Sequence, residues 1–145
     1  MNIFVCLDEK GGMMFNKRRQ SSDCIIRQDI LRTIGEQPLY MNAYTAKQFT
    51  EECKNLVITE NPLELVTEDA FVFVENIHIH DYIANIKQMI VYHWNRTYPA
   101  DFFLDIDLTS SDWNIVALEE FEGNSHECIR KEIYRKANEV NCKKG

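Results

Sequence analysis

The sequence predicts an α/β domain built on a central, mostly parallel sheet that ends in an antiparallel hairpin. Three features predict it. The chain opens on a continuous run of β-formers, "NIFVCL" at residues 2 to 7, cut off by Asp8 and a glycine pair, as a strand buried on both faces should be. Short apolar runs then alternate with stretches of helical spacing as far as residue 59. From residue 113 the pattern changes, and "WNIVALEEF" and "ECIRKEIYRK" flank the Gly/Asn turn "EGNSH" as an antiparallel pair would.

Each element follows in order. After Leu7, the segment "DEKGGMMFNKRRQ" reads as a loop. Ser21 or Ser22 can N-cap a helix whose Ile25, Ile26, Ile30, Leu31 and Ile34 recur at helical spacing, with Gly35 placed to end it. Asp23 then falls in the first turn, where the helix dipole favours a carboxylate. "PLYM" (38 to 41) is a strand, "TAKQFTEE" (45 to 52) a short helix and "NLVIT" (55 to 59) another strand, joined by right-handed crossovers. "AFVFV" (70 to 74) is a buried strand, "HDYIANI" a helical turn and "KQMIVYHW" (87 to 94) a central strand. Residues 1 to 137 are expected to form one domain, and the polar tail "NEVNCKKG", 138 to 145, is expected to fray.

Composition narrows the function classes. A chain of 145 residues with 45% hydrophobic and 11% aromatic content can bury one ordinary core. Its net charge of -7 repels polyanions on average, which argues against general binding to nucleic acid or to an anionic membrane. The run Lys17, Arg18, Arg19 is a local exception. The five cysteines are odd in number and scattered without metal or redox spacing, so they read as reduced thiols in a cytoplasmic protein. The first residues do not read as a secretory signal, and no apolar window approaches the ~20 residues of a membrane span.

Several segments, taken together and in order, resemble the dihydrofolate reductase family. "IFVCLDEKGGMMFN" is similar to that family's first strand and substrate-gating loop, and "SSDCIIRQDIL" to the helix bearing its catalytic acid, which puts Asp23 on that position. "PLYMNAYTAKQF" and "CKNLVITENP" resemble the next two strands, and "YPADFFLDIDLTSSDW" with "EEFEGNSHECIRKEI" the C-terminal part. The resemblance covers nearly the whole chain. It implies a three-layer dihydrofolate-reductase-like fold with a shortened middle, and a reductase using NADPH on a pterin-like substrate with Asp23 as proton donor.

The departures point the other way. The family holds the cofactor pyrophosphate on a Gly-Gly turn at a helix N-terminus, and this chain has no glycine between Gly35 and Gly123. Where the family has Gly-Arg-Thr, with the cation on the cofactor's extra phosphate, Asn42, Ala43 and Thr45 stand here. Cys53 replaces the arginine that clamps the folate carboxylate, and Phe102 the threonine that bonds the acid. Lys17, Arg18, Arg19 and Gln20 fill the gating loop where a Trp and a Pro are usual. These changes favour a divergent domain without ordinary NADPH-dependent folate reduction, binding another small ligand or a protein partner.

Candidate residues follow from both lines. Asp23 is either a general acid, needing a raised pKa, or a helix-start carboxylate. Arg18 and Arg19 either grip an anion or are solvated. Ile26, Thr45 and Tyr92 complete the candidate ligand-binding set, and the aromatics Tyr92, Trp94, Tyr98, Phe102 and Phe103 either line a pocket for a flat ligand or fill the core. His78, His80 and Asp81, and separately Asp105 and Asp107 on one strand face, are weak metal patterns; no metal is expected. An edge strand exposed by the shortened middle would favour a homodimer.

Overall fold

The structure, a computed structural model, describes residues 1 to 65 and 69 to 137. The predicted tail at 138 to 145, with Cys142, lies outside the described residues. Among the described residues seven strands form one sheet in the order β5-β4-β6-β1-β7-β10-β9. These are β1 (Asn2–Leu7), β4 (Leu39–Met41), β5 (Leu56–Ile58), β6 (Phe71–Phe73), β7 (Gln88–His93), β9 (Trp113–Phe121) and β10 (Ile129–Lys136). β1 runs parallel to both β6 and β7, and β4 runs parallel to β5 and β6. β10 is antiparallel to β7 and β9, so the predicted C-terminal hairpin is present.

Alternation along the central strands divides the core into two layers. Ile3, Val5 and Leu7 of β1 join Met89 and Val91 of β7 on one face, while Phe4, Ile90 and Tyr92 pack on the other. Helix α1 (Cys24–Ile34) covers the second face with Ile26, Ile30 and Ile34. The first face is covered by Leu63 of a short helix α3 (Pro62–Leu65), by Ile79 and Ile86 around a 3-10 turn at His80–Asn85, and by Met13 and Met14. The result is the three-layer α/β arrangement expected, with the middle crossover reduced to a turn.

Local differences from expectation have physical causes. Neither Ser21 nor Ser22 caps α1; Asp23 does, with extended backbone at φ -146, ψ 126 and a side chain that accepts from the Ile25 N–H. Gly35 ends the helix at φ 61, as predicted. The predicted helix over 45 to 52 is a single turn, α2 (Ala43–Ala46), capped by Asn42. The expected loop after Leu7 contains a hairpin, β2 (Gly12–Phe15) with β3 (Arg18–Arg19), and β8 (Phe102–Phe103) adds a third strand. Its turn residues Asn16 and Lys17 have φ 50 and 61, both in the left-handed region that a two-residue hairpin needs. Asp105 and Asp107 lie beyond β8 rather than on one strand face.

Candidate functional site

In open α/β sheets the ligand crevice lies outside the carboxyl ends of the parallel strands. Here those ends present Asp8 after β1, Asn42 after β4, Glu75 after β6 and Trp94 after β7. Asp8 is 1% exposed. It accepts the Gly12 N–H at 2.7 Å, the Lys10 N–H at 2.9 Å, the Gln20 amide at 3.0 Å and the Tyr98 N–H at 3.2 Å. Burial works to raise its pKa, but those donors outweigh it and hold the carboxyl below its usual value.

The β2–β3 hairpin lays Arg19 over this edge. Its Nε donates to Glu75 Oε2 at 3.0 Å and its Nη2 to Glu75 Oε1 at 3.2 Å, a two-pronged pair. Nη2 also donates to the Tyr44 carbonyl at 2.9 Å, and the guanidinium lies 4.4 Å from the Tyr44 ring centroid. Arg19 is thus committed to the protein itself, whereas Arg18 is exposed. Asn76, the residue after Glu75, accepts from Asn42 Nδ2 at 2.8 Å and lines a cleft of about 360 Å³ with Met14, Lys17, Asp101 and Phe102. Asp101 holds the hairpin turn by accepting the Asn16 N–H at 3.0 Å.

A second cluster forms where the β9–β10 loop folds back onto the start of α1. Asp23, 3% exposed, accepts from the Asn124 N–H at 2.9 Å, the Ser125 N–H at 3.0 Å and Ser125 Oγ at 3.2 Å, besides the Ile25 N–H at 2.9 Å. Its Oδ2 is also 2.9 Å from His126 Nδ1. Burial pushes the Asp23 pKa up, but the Asn124 N–H, His126 and the Ser125 and Ile25 N–H groups prevail and hold it at about 2. The His126 ring stacks on Trp94 at 4.5 Å, and its Nε2 meets Ser21 Oγ at 3.1 Å and Tyr98 OH at 3.2 Å. Gly123 makes this closeness possible, because a Cβ there would stand 2.5 Å from Asp23 Oδ2.

The other predicted residues separate. Ile26 is buried under α1, and Tyr92 is fully buried with its hydroxyl donating to Asp29 Oδ2 at 2.6 Å. Thr45 is 1% exposed, and its hydroxyl has no hydrogen-bond partner among the described residues. The five aromatics do not share a pocket: Tyr92, Trp94 and Tyr98 belong to the α1 face, Phe102 packs in the opposite layer, and Phe103 is exposed. Phe102 pairs with Met14 and lies 4.4 Å from the His78 ring, so it does not stand in for a threonine bonded to the acid. Cys53 lines a separate groove of about 590 Å³ with Leu31, Gly35 and Glu36, at the far end of α1 from Asp23.

Sequence reasoning missed Glu75 and His126, and named Gln20, Ser21 and Tyr98 without the contacts they make here. Only the glycine in "EGNSH" signalled His126, and it was legible as a turn rather than as a close approach. Among the described residues no three His, Cys, Asp or Glu side chains are grouped to hold a metal ion, and no helix is long and apolar enough to cross a membrane. His78 pairs instead with Asp105 at 3.4 Å, whose carboxylate also accepts the Ile79 and His80 N–H groups, each at 3.0 Å.

No protein-family model matches the sequence, and neither does any curated protein. Among solved structures the chain is similar to dihydrofolate reductase from Enterococcus faecalis, determined with NADP(H) and RAB-propyl. The TM-score is 0.67 over 94% of this chain and 95% of that one, at 15% identity. The chain therefore has a dihydrofolate-reductase-like fold.

Proposed function

We propose that this domain binds a small ligand other than a folate, at the carboxyl end of its parallel strands, and does not carry out NADPH-dependent folate reduction. The observation that carries this reading is the enclosure of Asp23, whose carboxylate already accepts the Asn124, Ser125 and Ile25 N–H groups and Ser125 Oγ and meets His126 Nδ1 at 2.9 Å. A general acid for a pterin-like ring needs a pKa near the working pH, and Asp23 is held at about 2.

The phosphate anchors support the same reading. A dinucleotide pyrophosphate needs free backbone N–H groups at a helix start. The Ile79 and His80 N–H groups, at the turn that replaces the cofactor helix, already bond the Asp105 carboxylate. The Arg19 fork does not compensate, because it is taken by Glu75. The residues therefore do not fit NADPH. The cleft beside Asn76 offers a cation, a carboxylate and an amide next to Met14 and Phe102, which suits a small molecule with one apolar surface and a polar edge.

Two measurements on the full chain test this. Titrating NADPH while following Trp94 fluorescence should show no saturation below roughly 100 μM, where loss of two charge-assisted phosphate contacts leaves affinity toward the millimolar range. Micromolar binding with dihydrofolate turnover abolished by Asp23→Asn would overturn the proposal. A thermal-shift screen of small heterocycles and organic anions should find a ligand whose stabilisation is lost in Lys17→Ala.

A further inference from the structure

We propose that Ser21 is a nucleophile for acyl transfer, with His126 as its base and Asp23 orienting the imidazole, acting on small carboxylic esters. This rests on a cluster separate from the ligand cleft and does not depend on what that cleft binds.

The geometry supplies each role. Ser21 Oγ is 3.1 Å from His126 Nε2, and His126 Nδ1 is 2.9 Å from Asp23 Oδ2, the linear order hydroxyl, imidazole, carboxylate that defines a triad whatever the chain order. With Nδ1 donating to the Asp23 carboxylate, a neutral imidazole presents the lone pair of Nε2 to the hydroxyl. The ring cannot swing away: it is 4% exposed, stacked on Trp94 and bonded by Ser125 Oγ at 3.0 Å. Ser21 itself is only partly buried, on the segment between β3 and α1. The neighbouring Ser22 Oγ accepts from Arg27 Nη1 at 2.6 Å, and Arg27 is in turn paired through Nε with Glu51 Oε1 at 2.9 Å.

The step balances without a further reactant except water. Ser21 Oγ attacks the acyl carbon while its proton passes to Nε2. The bond from acyl carbon to the alcohol oxygen breaks, and the alcohol leaves with that proton. Water then repeats the sequence on the acyl-serine and releases the acid, restoring Ser21. Tyr98 OH, 3.2 Å from Nε2, competes for the same lone pair.

The test is to incubate the full chain with a fluorophosphonate probe and, separately, with p-nitrophenyl acetate, and to map any adduct by mass spectrometry. Expected are a single adduct on Ser21, its loss in Ser21→Ala, and a roughly 10²-fold slower labelling in His126→Gln, the size of a general-base contribution. Tyr98→Phe should label at least as fast as the parent chain. Circular dichroism of each variant establishes that it is folded, and Ser21→Ala, on an irregular segment, carries the decision if His126→Gln is not. No adduct on Ser21, an adduct elsewhere, or ester hydrolysis unchanged by Ser21→Ala would each overturn the proposal and leave the cluster as a lock between hairpin and helix. The NADPH titration is untouched by any of these results, so failure of this proposal is told apart from failure of the ligand reading, although both use the Asp23 carboxylate.

Discussion

Asp23 and His126 stand 103 residues apart in the chain, yet the carboxylate of one meets Nδ1 of the other at 2.9 Å inside the protein. That contact joins the start of α1 to the β9–β10 loop. It also makes Asp23 both a helix cap and the anchor of a hairpin, which ties folding of the two ends together.

This arrangement predicts a specific acid sensitivity. The folded pKa of Asp23 is about 2 against an ordinary 3.8, so its carboxylate is favoured in the folded state. A depressed carboxyl pKa contributes stability that is complete above the unfolded value and is lost as pH falls through the folded one. The contribution is about 2 kcal/mol, disappearing between about pH 4 and pH 2. Urea unfolding across that range should give Asp23→Asn a stability about 2 kcal/mol lower near neutrality and a flatter acid slope than the parent. Equal slopes would show that the carboxylate is not what the acid titrates.

Gly123 should be harder to replace than Gly11. An added Cβ would meet Asp23 Oδ2 at 2.5 Å and Ile129 Cδ1 at 2.6 Å, and the Asp23 carboxylate is pinned by the loop's own N–H groups. Gly123→Ala is expected to destabilise by about 2 to 3 kcal/mol through overpacking. Gly11→Ala meets nothing within 4 Å and suffers only the strain of φ +78, about 1 kcal/mol. Chemical denaturation of both variants checks the order; a Gly11 variant weaker than the Gly123 one reverses it.

The parts of this fold that were legible are those with local causes. The apolar run of β1, the spacing of Ile26, Ile30 and Ile34 and the Gly35 stop each declare an element within a few residues, and the structure has all of them. The β2–β3 hairpin was hidden because its turn uses Asn16 and Lys17 where a glycine would have announced the positive φ. The site was hidden for a different reason. Glu75 matters because Arg19 reaches it across 56 residues, and His126 because Asp23 does across 103. No spacing rule encodes such pairs. The role of Asp23 was half legible: its position at the helix start was readable, but the donors that set its charge come from the far hairpin.

Arg19 and Glu75 offer the most direct test of how the carboxyl edge of the sheet is held. The Glu75 side chain is 9% exposed and the Arg19 side chain 23%, so neither charge is fully solvated. Removing one partner leaves the other partly desolvated and unpaired, which costs more than the pair contributes. Arg19→Ala is expected to destabilise by about 2 kcal/mol, less than a fully buried pair because water still reaches the guanidinium. Glu75→Ala should cost a similar amount. The double variant should lose clearly less than the sum, with a coupling of roughly 1 kcal/mol. Arg19→Lys keeps the charge but not the fork, and the flat contact with Tyr44 goes too, so it should recover less than half of the loss. Strict additivity in the urea-unfolding cycle would mean that the pair is solvated, and that Arg19 is available after all to an incoming anion.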